Sequence, residues 1–208
     1  MKPRLGAVVL LAAAAACRRQ GPPVVFLGDS LTAGWRLPES QAFPARLEKR
    51  LRDQGLPIRA INAGVRGNTM AQGLARLPGV LAKRPDVLVV ALGANDVLRG
   101  LPLEPAEAGL RKIVKTARDA GVRVLLVGMR LPPGTNAEYA RRFAAIYPRV
   151  AADFRVPLVP FLLDGVAGRP ELNFPDGLHP TAAGHERLAE NVRPHIELLL
   201  AEVARDTR

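Results

Sequence analysis

Three strand-like runs that each stop at a glycine constrain this chain most. Val24-Val25-Phe26-Leu27 ends at Gly28, residues 58–63 end at Gly64, and residues 86–92 end at Gly93. The first and third are apolar at consecutive positions and rich in β-branched residues, the pattern of strands covered on both faces, as in a parallel sheet. Helical spacing fills the gaps. Phe43, Leu47 and Leu51 mark a helix over 43–52, which Gly55 and Pro57 close. Thr69 is placed to cap a helix over 70–81 that buries Met70, Leu74, Leu77 and Leu81. Pro105 near its start and Gly121 after its end delimit a helix over 104–120. A fourth strand over 123–128, a helix over 136–154, a short fifth strand over 156–159 and a closing helix from 181 to about 204 complete the alternation. The last carries Leu188, Val192, Ile196, Leu199 and Val203 on one stripe. Such regular alternation predicts an α/β fold: a three-layer α/β/α sandwich with a central, mostly parallel five-stranded sheet.

In a parallel sheet the carboxyl ends of all strands lie along one edge, so Gly28-Asp29-Ser30, the loop from Gly64 to Asn68, and Gly93-Ala94-Asn95 converge there. Taken alone, Asp29 and Ser30 read as helix caps before they read as a catalytic pair. A fourth loop, Phe174-Pro175-Asp176-Gly177-Leu178-His179-Pro180, precedes the last helix. Its spacing lets the Asp176 carboxylate reach Nδ1 of His179 and leaves Nε2 free to take a proton, which is what a serine nucleophile needs from its base and orienter. Asp176 and His179 could instead ligate a metal, but such a site needs three or four donors and few remain, so no metal and no cofactor is expected. His185 and His195 lie in the last helix with no acidic or serine motif attached; they read as surface or partly buried helix residues.

Together four blocks, GDSLTAGW around Ser30, NAGVRGNT around Gly67, GAND around Asn95 and DGLHP around Asp176 and His179, resemble the SGNH hydrolases, also called GDSL lipases/esterases. The resemblance runs from about Val24 to Leu200. The stretches QGLARLP over 72–78 and Arg130-Leu131-Pro132 are similar to the thioesterase I/lysophospholipase L1/arylesterase branch. It implies a flavodoxin-like fold and a serine hydrolase acting on carboxylic esters and thioesters, including lysophospholipids. The implied roles are Ser30 as nucleophile, His179 as base and acid, and Asp176 as the group orienting the imidazole. The N–H groups of Ser30 and Gly67 and the side-chain amide of Asn95 would form the oxyanion hole. Glycine at 67 would let substrate approach without a Cβ, and asparagine at 95 would donate without forming an ion pair with Asp176. Leu98, Leu101, Leu131 and Pro132, in the loops after the third and fourth strands, are candidates for an acyl groove. A carbohydrate O-deacetylase of the same family, or a non-catalytic envelope-binding lipoprotein, are the competing readings. A nucleotide-binding module is disfavoured, because neither G-x-G-x-x-G nor G-x-x-x-x-G-K-[ST] follows a strand.

Before the first strand, a short basic start and the apolar run Leu5 to Ala16 read as an export signal over 1–16. Ala14-Ala15-Ala16-Cys17 resembles a lipoprotein cleavage site, with alanine where leucine is more common, and makes Cys17, the only cysteine, a candidate for lipidation. Residues 17–23 read as a tether and 24–208 as the folded domain. The expectation is thus an exported periplasmic or cell-envelope protein, anchored to a membrane if Cys17 is acylated, and a monomer. The formal charge is +11, or +9 once Lys2 and Arg4 leave with the signal. Its arginines are scattered and not interleaved with aromatics, which argues against nucleic acid and for a surface compatible with anionic lipid or envelope polymer.

Overall fold

The computed structural model describes residues 21–131 and 136–206. The segment read as an export signal, Cys17, Pro132 and Pro133 lie outside the described residues. Strands β1 (Pro23–Gly28), β2 (Arg59–Gly64), β3 (Val87–Ala91), β4 (Arg123–Val127) and β5 (Leu158–Val159) form one sheet in the order β2-β1-β3-β4-β5, with every pairing parallel. β1 begins at Pro23, inside the segment read as a tether. Proline is tolerated there because the first residue of a strand can do without its N–H, and the Pro23 carbonyl still accepts from the Asp86 N–H.

Helices α1 (Ser30–Ala33), α2 (Phe43–Asp53), α3 (Met70–Ala75), α4 (Leu77–Leu81), α5 (Ala94–Leu98), α6 (Leu103–Asp119), α7 (Ala137–Ala144), α8 (Ile146–Phe154) and α9 (Ala182–Asp206) connect and cover the strands. The chain steps from β1 outward to β2, then crosses to β3 and continues through β4 to β5. Right-handed crossovers therefore send the first connection to one face and the next three to the other. The packing agrees: α2 lies against α9, while α3 and α8 lie against α6. The side chains between the layers, Val24 to Leu27, Val87 to Val90, Leu110, Ile113, Val192 and Ile196 among them, are buried. Each large one contributes about 1.5–3 kcal/mol by leaving water.

Two helices expected to be continuous are divided, 70–81 at Arg76 and 136–154 at Ala145. Pro78 and Pro148 follow the breaks. Each lacks the N–H that would bond four residues back, and its ring crowds the preceding turn. Pro194, by contrast, sits inside α9 without dividing it.

The reading of His185 as a surface or partly buried residue is corrected: it is fully buried between α9 and α2. Its Nδ1 accepts the Phe43 N–H at 3.1 Å and its ring stacks on Phe43, supplying the helix cap that Ala42 cannot. Desolvation lowers its pKa to about 4, which keeps the ring a neutral acceptor. Around it, Arg50 pairs with Glu186 and Glu190, so α9 is fixed against α2 and the loop preceding α9 is fixed with it. His195 is partly buried, with its pKa lowered by desolvation.

Candidate active site

Register places the site. Gly28 at the end of β1 is level with Gly64 of β2 on one side and Ala91 of β3 on the other. The chain reverses its direction of travel across the sheet between β1 and β3, so a crevice opens there at the carboxyl edge. Ser30 stands on the β1 side of it and Asn95 on the β3 side. Asp29 caps α1, its Oδ1 accepting the Leu31 N–H at 3.0 Å, so the cap reading holds for Asp29 while Ser30 is left as the first helical residue.

The fourth loop brings the imidazole across. Asn173 and Pro180 form an antiparallel bridge, Phe174 N–H donates to the His179 carbonyl, and Gly177 N–H returns to the Phe174 carbonyl. Asn173 is buried and its Nδ2 donates to the Val166 and Arg169 carbonyls, which anchors the base of this small hairpin. At its tip Asp176 Oδ1 accepts the N–H groups of Leu178 and His179, while Oδ2 lies 3.0 Å from His179 Nδ1. Loss of hydration raises the Asp176 carboxyl, but the two backbone donors and the imidazole together outweigh it and bring the pKa down to about 2. On the other side of the ring, His179 Nε2 is 3.0 Å from Ser30 Oγ. Trp35, just past α1, lies against the imidazole with ring centroids 4.2 Å apart and meets Phe174 edge-on.

The N–H groups of Ser30 and Gly67 make no backbone hydrogen bond among the described residues. Gly67 has φ +72°, the left-handed region that favours glycine, and a Cβ there would meet only the end of Arg99, at 3.1 Å. The turn needs glycine for its backbone angle more than for space. Arg99 Nη2 donates to the Gly67 carbonyl at 2.6 Å and steadies this turn.

Both side-chain N–H groups of Asn95 have partners. Its carboxylate neighbour is Asp29, whose Oδ2 accepts from Asn95 Nδ2 at 3.2 Å, and the second N–H goes to the Asn68 carbonyl at 3.1 Å. Asp29 and Asn95 are 66 residues apart, and the parallel pairing of β1 with β3 brings them together. Arg76 completes the support: Nε donates to Asn68 Oδ1 at 2.6 Å and Nη2 to the Gly28 carbonyl at 2.9 Å. Asp29 is wholly buried, and desolvation lifts its pKa to about 6 against the partial relief given by Leu31 N–H and Asn95; the nearby Asp96 charge lifts it further. Asp96 is also buried and accepts the Met70 N–H at 2.9 Å, so the GAND block helps hold α3 as well. Gly93 of that block has φ +120°, and a Cβ on it would lie 2.2 Å from the Tyr147 hydroxyl. That hydroxyl donates to the Leu92 carbonyl at 2.7 Å.

Of the acyl-groove candidates, Leu98 and Leu101 are exposed and Leu131 is partly buried against the core. Tyr139 Oη donates to the Leu101 carbonyl at 2.9 Å, which ties α7 to the loop after α5. Asp29, Asn68, Arg76 and Trp35 were not singled out for roles in the site from sequence; Asp29, Asn68 and Trp35 lie within the four quoted blocks and Arg76 within the QGLARLP stretch. Motif membership was the available signal.

Residues 26–187 match the GDSL-like Lipase/Acylhydrolase family. Esterase TesA of Pseudomonas aeruginosa is 42% identical over 195 residues, covering 93% of this chain and 95% of that protein. Thioesterase 1/protease 1/lysophospholipase L1 of Escherichia coli K12 is 36% identical over 178 residues, covering 85% of this chain and 84% of that protein. A crystal structure of TesA superimposes with a TM-score of 0.82 at 42% identity, over 85% of this chain and 99% of that one. With the parallel five-stranded sheet and four convergent corners already in place, these likenesses establish that the chain belongs to the GDSL-like lipase/acylhydrolase family.

Proposed function

We propose that the protein hydrolyses carboxylic esters, and thioesters alongside them, with Ser30 as the nucleophile. Ser30 Oγ attacks the ester carbonyl as His179 Nε2 takes its proton. Asp176, ionised at any pH well above 2, accepts from Nδ1 and stabilises the imidazolium that forms. The tetrahedral oxyanion is received by the N–H groups of Ser30 and Gly67 and by Asn95, which turns one N–H away from Asp29 or Asn68 to do so. His179 then protonates the departing oxygen, and a water repeats the sequence in reverse to free the acid and restore Ser30.

The observation that carries this reading is the Ser30–His179–Asp176 chain, with 3.0 Å at each of its two links. Support for apolar acyl groups comes from Leu98 and Leu101 beside the loop tied by Tyr139, and the relatives named esterase and lysophospholipase agree. Export with residues 1–16 and acylation of Cys17 belong to the same proposal and rest on the amino-terminal sequence alone. Turnover of a para-nitrophenyl acyl ester tests the chemistry. Ser30→Ala and His179→Ala should each lose nearly all of it, and an acyl-length series should favour medium or longer chains over acetyl. Full activity in Ser30→Ala refutes the assignment.

A further inference from the structure

Among the described residues, two arginines at the mouth of the site have no acidic partner, unlike many of the surface arginines. Arg50 is paired with Glu186 and Glu190, and Arg111 with Glu107 and Asp153. The guanidinium of Arg36 instead lies over the Trp35 ring, 4.0 Å from its centroid, and 5.9 Å from that of Phe174. Arg66, from the turn that carries Gly67, lies 5.6 Å from the same indole. Both arginines are exposed, and among the described residues neither makes an ion pair or a hydrogen bond. Asp176, the carboxylate of the neighbouring loop, has both oxygens committed, one to two backbone donors and the other to the imidazole. Arg36 also has φ +64°, a left-handed conformation that side-chain-bearing residues rarely take.

The indole that both guanidiniums approach also rests on His179. In the reaction proposed above, His179 hands its proton to the departing oxygen, so the departing half of the substrate must pass along the imidazole and the ring packed against it. We infer that Trp35, Arg36 and Arg66 form a leaving-group subsite that selects esters whose alcohol half carries a negative charge. Arg36 is held over the Trp35 ring and Arg66 lies within cation–π range of the same ring, so an anion bound beside the indole is attracted by two planar donors.

This inference rests on the hydrolase reading, and the experiment separates the two. The probes are a butanoyloxy-nitrobenzoate, whose released phenol bears a carboxylate, and the matching butanoyloxy-nitrobenzamide, which has the same acyl group and nearly the same shape without the charge. The readout is the ratio of their kcat/KM values, which a general loss of folded enzyme leaves unchanged. Two exposed charge contacts, each giving about two- to fivefold, predict a preference for the anionic ester of roughly tenfold at low ionic strength that shrinks as salt is added. Arg36→Gln combined with Arg66→Gln should abolish the preference, and the paired lysine substitutions should keep most of it. An equal ratio in wild type and double glutamine variant, or a ratio indifferent to salt, overturns the subsite while leaving the hydrolase standing. Failure of the wild type to turn over either ester overturns both.

Discussion

Replacing Asp29 by asparagine removes one buried charge and nearly preserves the shape of the β1 corner. In the folded protein this carboxyl titrates at about 6, against 3.8 for an ordinary aspartate. Between those values the native state keeps a proton that the unfolded chain has released, so Asp29 makes the protein less stable as pH rises through that window. The gap amounts to about 3 kcal/mol, present as native-state stability below about pH 4 and lost above about pH 6. Asp29→Asn has no such titration. Urea unfolding followed by the fluorescence of Trp35, the single tryptophan, should therefore give a stability difference, variant minus wild type, that shifts in the variant's favour by about 3 kcal/mol from acid to neutral pH. Any hydrogen bond weakened by the substitution adds an offset that does not change with pH, so the slope isolates the charge. The other perturbed groups are common to both proteins, and those not coupled to Asp29, as Asp96 is, cancel. The same variant turns an N–H toward Asn95 where the wild type offers an oxygen, so kcat on a para-nitrophenyl ester should fall by about tenfold or more at pH 7. A stability difference that stays constant from pH 4 to pH 8 would refute the buried, shifted carboxyl.

Asn95→Ala should cost about 2–4 kcal/mol of transition-state stabilisation, a hundredfold or more in kcat, with little change in melting temperature. Gly93→Ala should destabilise the fold by several kcal/mol, on the order of 2–4, since its Cβ would strike the Tyr147 hydroxyl at 2.2 Å in a left-handed conformation. Gly67→Ala should cost only about 1–2 kcal/mol, because only its backbone angle is unfavourable, and calorimetry on the two variants checks the order. His185 works against Asp29 in acid. Its pKa, lowered to about 4 from 6.5, gives stability that is present above about pH 6.5 and lost as pH falls toward 4, so His185→Gln should flatten the acid limb of the unfolding curve.

What the sequence made legible follows from locality. The strands ending at Gly28, Gly64 and Gly93 and the Asp176–His179 pair are set by neighbouring residues, and residue spacing sufficed to find them. The prolines that divide the two helices were visible, yet the apolar stripe over Met70, Leu74, Leu77 and Leu81 continues through the first break and masked it. The contacts that support Asn95 were not legible, since Asp29, Asn68 and Arg76 come from different corners of the sheet and meet only through strand pairing. His185 was misjudged for a related reason: a polar residue on a helix stripe reads as exposed unless the orphan amide it satisfies, here Phe43 N–H, is known to face it.

Intact-mass and peptide mapping after treatment with a fluorophosphonate tests the central claim most directly, because only a serine oxygen activated by the adjacent imidazole is phosphonylated quickly. One adduct per chain is expected, on the peptide containing Ser30, absent from Ser30→Ala and formed far more slowly in His179→Ala. An adduct on another residue, or equal labelling of the Ser30→Ala protein, would contradict the account.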